Sequence, residues 1–307
     1  MKSLLLLTAV VAVVPAALAG SSRSVTVPAP VVAVAFDGSR IAYASGRSAA
    51  DCNRVYVWNL ATRGVSKLGR KTHCEQTSTG NAIASVAIAG IRVLWIHYAG
   101  GNFRDWSLWT ATTTKPAPIR LRLVTREADA AAPIVIGDGD AGRLGDILPY
   151  AVGRTVIALR ADGARRFAWT APARVVALSA LGGELAVATE GGAVTVLDAA
   201  GRVLSEESYA SEIQVVKFAG NGLLVQRGRA LELRNVGGSR IWTLPSGARL
   251  VDAADARAYY VSGGRIHAQS LAGSATRIVG RGTEGAVEGS TLAIAEGRLV
   301  RALLRDF

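Results

Sequence analysis

Short apolar runs organise this chain. From residue 30 onward, stretches of four to eight apolar residues alternate with Gly, Asp, Asn and Ser, and none carries the 3.6-residue spacing of an amphipathic helix. The pattern predicts strands throughout, and the strands repeat. Ala193-Val194-Thr195-Val196-Leu197-Asp198 is followed by a turn at Gly201 and a second strand, Arg202-Val203-Leu204. The same order of strand, short polar residue, Gly turn and strand recurs at Arg54 to Asn59, at Val156 to Asp162 before Phe167-Ala168-Trp169, and at Leu231 to Asn235 before Ile241-Trp242. A weaker copy runs from Ile266 to Ser270 and on to Val279. Asn, Asp or Ser ends each strand because its side chain enters a turn at little cost.

Two further strands precede each hairpin, so four strands make one unit. First strands are predicted to begin near Val31, Ile83, Pro133, Arg174, Ile213, Arg249 and Gly285. The last unit, from Gly285, lacks a fourth strand, while Ser24-Val25-Thr26-Val27 precedes the first unit without a partner. Pairing the two would close a ring and hide an edge.

The repeat resembles a β-propeller over nearly all of residues 20–307. Val55-Tyr56-Val57-Trp58-Asn59-Leu60 resembles the third-strand ending of WD-repeat blades, with Asn59 where that family carries Asp, and the Gly-His dipeptide of that family is absent. Leu185 to Leu204 is similar to quinoprotein-type and TolB-type blades. The resemblance implies one all-β domain: a seven-bladed propeller of four-stranded antiparallel blades, closed by its N-terminal strand. The irregular segment Thr125 to Tyr150 leaves six or eight blades open.

Composition supports a large core, with half of the 307 residues apolar and 19% charged. Aromatics are only 6%, so Val, Ala and Leu must do most of the packing. The N-terminus reads as a signal peptide over residues 1–19: Lys2, an apolar run from Leu4 to Val14, and a small-x-small site at Ala17-Leu18-Ala19. The alternative is an uncleaved anchor. Export to the periplasm, cell surface or medium favours a Cys52–Cys74 disulfide. The meander also places Cys52, between second and third strands of blade one, on the same face as Cys74, in the connection to blade two. A metal site at these cysteines with His73 would be one ligand short.

Net charge is +12, almost all of it arginine and without a dense basic run, which reads as a solvated surface. Nucleic acid is not an expected partner, because no recognition helix is present. Gly137-Asp138-Gly139-Asp140-Ala141-Gly142 matches a dinucleotide fingerprint, but Gly145 and Pro149 interrupt the helix it needs. Asp138, Asp140 and Asp146 could serve calcium, yet Pro149 stands where a calcium loop has its last Glu, and turns held by Asx contacts are expected instead.

Gly100 to Trp106 is predicted to be an open loop between the second and third strands of blade two. Asn102, Arg104, Asp105 and Trp106 there, with His97 beside them, are the candidate ligand-binding residues: rings for stacking, polar groups for orientation. Trp95 and Trp109 are expected as cross-strand partners. No G-x-S-x-G elbow or H-E-x-x-H pair is present, and no metal or cofactor is expected. The favoured reading is a monomeric, non-enzymatic binding or scaffold protein of the cell envelope, partnered by an envelope protein, peptide or glycan and not inserted in the membrane. The alternative is a propeller hydrolase or lyase using Asp105 with His97 or Asp51. A third is a quinone-dependent dehydrogenase, for which no metal ligands can be identified.

Overall fold

A computed structural model describes residues 22–45, 52–69, 77–142, 146–254 and 256–304. Every regular element among them is a β-strand, and the strands form seven four-stranded antiparallel sheets. First strands are Ala33–Asp37, Asn81–Ala89, Ile134–Ile136, Val175–Leu181, Val215–Ala219, Arg249–Ala254 and Glu284–Glu288. Each begins within two residues of its expected place. Six blades are simple meanders. The seventh takes its outer strand from the start of the chain, Ser22–Thr26, paired antiparallel with Leu299–Leu304 so that Ser22 faces Leu303 and Thr26 faces Leu299. The seven-bladed ring and its closure are as the repeat predicted.

The strand-ending polar residues do what their chemistry allows. Asn59 Oδ1 accepts the Ala61 N–H at 2.9 Å, Asp162 Oδ1 the Ala164 N–H at 2.8 Å, Asp198 Oδ1 the Ala200 N–H at 2.8 Å, and Asn235 Oδ1 the Gly237 N–H at 2.9 Å.

Packing is between blades. Each of the seven interfaces holds one apolar cluster, such as Ala42, Ala44, Val55 and Val57 of blade one against Ile88, Val93 and Trp95 of blade two. Small and β-branched side chains suit this geometry, because sheets must approach closely near the axis. The Gly-rich stretch after Ile136 has the same cause. A Cβ on Gly137 would lie 2.5 Å from the Leu178 Cβ, and one on Gly139 would lie 2.3 Å from the Ile88 carbonyl oxygen. The glycines let blade three press against blades four and two, and Asp140 opens a turn onto the Gly142 N–H at 2.9 Å rather than a helix.

Many arginines are not the solvated charges expected of them. Arg154, Arg229 and Arg298 each stand just before a third strand and donate Nε–H to the carbonyl just beyond the outer strand, at Ala171 (2.8 Å), Leu244 (3.0 Å) and Val27 (2.9 Å). Others cross to the next blade. Arg92 donates to the Ala161 and Asp162 carbonyls (3.0 and 2.8 Å), Arg166 to Ala199 (2.6 Å), Arg240 to Ala272 (2.6 Å) and Arg23 to Leu60. The five-donor guanidinium fork satisfies carbonyls left over where strands end.

Ring closure is testable around one strand. Val27 is 3% exposed in the cluster joining blades seven and one. Val27→Asp should cost about 3 kcal/mol of stability in denaturant unfolding. Ser24→Asp, at an exposed position of the closing strand three residues earlier, should leave the midpoint unchanged.

Candidate functional site

Two regions carry chemistry: the raised second blade and the axial mouth. Blade two is built from Asn81–Ala89, Arg92–Gly100, Phe103–Thr112 and Ile119–Glu127, strands of nine, nine, ten and nine residues, whereas strands elsewhere have three to seven. Its lower turn is held level with its neighbours by Asp37, which accepts the Gly90 N–H, and by Arg92 on blade three. The extra length therefore stands ~10 Å above the opposite face of the disc.

The open loop expected from Gly100 to Trp106 is instead a tight hairpin, with only Gly101 and Asn102 between the strands. A Cβ on Gly100 would lie 2.0 Å from the Phe103 carbonyl oxygen, so glycine permits the close approach. Because Arg104, Asp105 and Trp106 lie on a strand, they alternate between faces. His97 and Asp105 share the face toward blade one with the paired Trp95 and Trp109. Arg104 and Trp106 share the face toward blade three. Asn102 is exposed in the turn, its carbonyl accepting the Ala128 N–H at 3.0 Å. The five candidates thus do not line one pocket.

Their partners are equally separate. His97 Nε2–H donates to Asn81 Oδ1 at 2.6 Å, and burial pushes its pKa down to about 4, so it is neutral at ordinary pH. Thr125 donates to Asp105 Oδ1 at 2.6 Å. Asp51 lies outside the described residues. Trp106 is 5% exposed and tilted against Tyr98 with ring centroids 5.3 Å apart, and its indole N–H is buried without an acceptor among the described residues. Arg104 stacks over Tyr98 at 5.1 Å and donates Nη2–H to the Thr79 carbonyl at 2.8 Å. Cys52 is buried, and Cys74 lies outside the described residues.

The axial mouth went unforeseen. Its signal was a charge inside an otherwise apolar first strand: Lys217 in Val215–Ala219 and Asp252 in Arg249–Ala254. First strands of all the blades line the axis, where a cavity of about 430 Å³ opens on the raised face. Lys217 stands at its floor, donating to Asp138 of blade three and reaching Asp252 Oδ1 of blade six at 3.5 Å. Asp252 also accepts the Val287 N–H of blade seven at 2.6 Å, and Asp140 accepts the Gly183 N–H of blade four at 3.3 Å. Inner carboxylates thus clasp the main chain of neighbouring blades, and Lys217 bridges across the axis.

One ammonium serving two carboxylates sets the titration. Burial works against the charge of Lys217, but Asp138 and Asp252 more than offset it and hold the pKa above its ordinary value. Burial pushes Asp252 up despite Lys217. Burial also pushes Glu288 up to about 7, helped by Asp37, Asp140 and Asp252 and opposed by the Gly38 N–H. Asp138, Asp140 and Asp146 are dispersed. Asp138 goes to Lys217 and Ser179, Asp140 to the Gly142 and Gly183 amides, and Asp146 to the Ala161 amide at 3.3 Å. Among the described residues, no group of three His, Cys, Asp or Glu side chains is placed to hold a metal ion.

No protein-family model matches the chain, and no curated protein does. Solved structures do. A chain of the mitotic checkpoint complex crystal structure aligns with TM-score 0.56 and 16% identity, over 100% of this chain and 99% of that one. The computationally designed Ika8 protein aligns with TM-score 0.50 and 10% identity, over 90% and 96%. Raptor from Chaetomium thermophilum aligns with TM-score 0.57 and 11% identity, over 92% of this chain but 28% of its own length. These likenesses establish the fold.

Two measurements probe the axis, at Glu288 on the end away from the open cavity and at Lys217 on the cavity floor. Glu288→Gln removes a carboxyl whose pKa is raised from 4.5 to about 7. Such a group weakens the fold as pH rises through that window. The variant should therefore gain Tm over wild type above pH 7, and the gain should vanish below pH 4.5, whatever His97 contributes to both. Lys217→Met leaves the largely buried Asp252 without its cation and should cost about 3 kcal/mol, with Lys217→Met/Asp252→Asn recovering part of it in denaturant unfolding.

Proposed function

We propose that this chain, a WD-like seven-bladed β-propeller by fold, is an exported, non-catalytic interaction module whose binding wall is the raised second blade. The observation that carries the reading is the asymmetry of the ring: one blade of seven stands above the face and presents exposed Phe103, Asn102, Asp105 and Leu123. A propeller supplies a rigid platform on which a protruding hairpin can engage a partner with little ordering cost. Arg104, Trp106 and His97 support that hairpin from within.

Export rests on Lys2, the apolar run to Val14 and Ala17-Leu18-Ala19. The Cys52–Cys74 pairing belongs to the same proposal, and an envelope protein is the expected partner. The protein isolated from outside the cytoplasm should begin at Gly20 and resist thiol alkylation until reduced. Retention of the leader, or alkylation of Cys52 without reduction, would remove the export proposal.

The binding proposal has its own test. A photoreactive residue in place of Phe103 should cross-link one discrete partner in intact cells. The same residue in place of Val236, 96% exposed on the opposite face, should not. Equal labelling from both positions, or none from Phe103, would refute it.

A further inference from the structure

The wall of blade two that faces blade three carries three guanidinium groups and no carboxylate. Strand register places Arg104 beside Arg126, Trp106 beside Val124 and Leu108 beside Arg122, so these six side chains share one face. Acidic Asp105 and Glu127 point to the other face, paired with Thr125 and Phe103. Arg122 lies over the Tyr150 ring of blade three at 5.7 Å, and Arg104 over Tyr98 at 5.1 Å. None of Arg104, Arg122 and Arg126 forms an ion pair among the described residues, where other arginines do. Arg122 and Arg126 are exposed. Arg104 and Arg126, directly opposite on adjacent strands, are like charges whose juxtaposition is unfavourable by itself and favourable opposite an anion, and Arg122 extends the same positive face along the strand.

The outer strand Ile119–Glu127 supplies a second feature. It is the last in its sheet, and no described strand pairs with its free edge, so its outward N–H and C=O groups form a nine-residue template. Exposed Ile119 and Leu123 add apolar surface along it. Outer strands of the other blades are five or six residues long. A free edge is read by a polypeptide, which returns hydrogen bonds in register, and a polysaccharide has no such ladder.

We propose that this edge accepts an acidic, extended segment of another protein as a fifth strand of blade two. The proposal rests on the raised blade being the binding wall and names its ligand. Cross-strand neighbours lie ~5 Å apart on one face. The segment should therefore carry Glu or Asp opposite Arg122 and Arg126, an apolar residue opposite Val124 between them, and an apolar residue opposite Leu123 on the reverse side. Two acidic residues four positions apart, with apolar residues between, is the expected pattern.

The probe is a fluorescein-labelled peptide, Ser-Glu-Val-Val-Val-Glu-Ser, which meets the pattern in either strand direction, titrated with the full-length protein and read by anisotropy. Binding should weaken with salt, as exposed ion pairs do. Arg122→Glu/Arg126→Glu should reduce affinity at least about tenfold with unchanged Tm, and the milder Arg122→Gln/Arg126→Gln should do so by a smaller factor if the reversal unfolds the chain. A peptide with Lys for Glu, and one N-methylated at alternate amides, should not bind. Undiminished binding by the arginine variants or by the N-methylated peptide would overturn the inference. So would competition by polyglucuronate equal to that by the peptide, charge for charge, which would mark a mere anion patch. Cross-linking at Phe103 that persists in the arginine variants would leave the raised blade a binding wall and sink only its assigned ligand.

Discussion

A blade that is apolar on both faces cannot stand alone, and a ring of such blades has no free apolar face only if it closes. Everything else in this protein depends on that closure. It is made by Ser22–Thr26 laid against Leu299–Leu304, a pairing across almost the whole described chain. Such a contact carries a large entropic cost of loop closure and returns its stabilisation only when all the blades are present. Just after the closing strand, Val27 is buried between blades seven and one, where Val31, Phe36 and Tyr43 meet Ala293, Ala295 and Val300. The seam is thereby packed like the other interfaces.

The ring's polar accounting follows from its shape. The ends of the twenty-eight described strands leave main-chain groups without ladder partners, and a disc presents them at its two faces and along its axis. Arginine answers for carbonyls: Arg154, Arg229 and Arg298 within blades, Arg23, Arg92, Arg166 and Arg240 between them. Carboxylates answer for amides near the axis, at Asp37, Asp140 and Asp252. Bringing inner strands together concentrates those carboxylates along the axis, below the open cavity, which is why a chain of net charge +12 has an acidic centre and why Lys217 sits within it. The centre is thus first a product of construction, with a proton affinity raised by burial.

Blade two departs from this economy. Its extra length makes no contact that closure requires, and its wall toward blade three keeps Arg104, Arg122 and Arg126 free of ion pairs among the described residues, while Arg174, Arg227 and Arg234 each pair with a glutamate. Trp106 and Tyr98 fill the base of that wall and stiffen it. Rigid support below and unpaired charge above are what a preformed binding edge needs.

By itself the sequence determined most features that rest on neighbours along the chain: the strands, from short apolar runs; the turns, from Asn59, Asp162, Asp198 and Asn235; and the closing strand, from an unpaired first segment and an incomplete last unit; the repeat favoured seven blades, and the sheets decided against six or eight. It also placed Trp95 against Trp109. What lay beyond it was set through space. Whether Gly100 to Trp106 formed a loop or a hairpin decided which residues shared a face, since one residue of difference moves a side chain to the opposite side of a sheet. Lys217 and Asp138 are 79 positions apart and meet only across the axis. Composition counts arginines but cannot say which carbonyls they reach, because those partners exist only once the ring has formed.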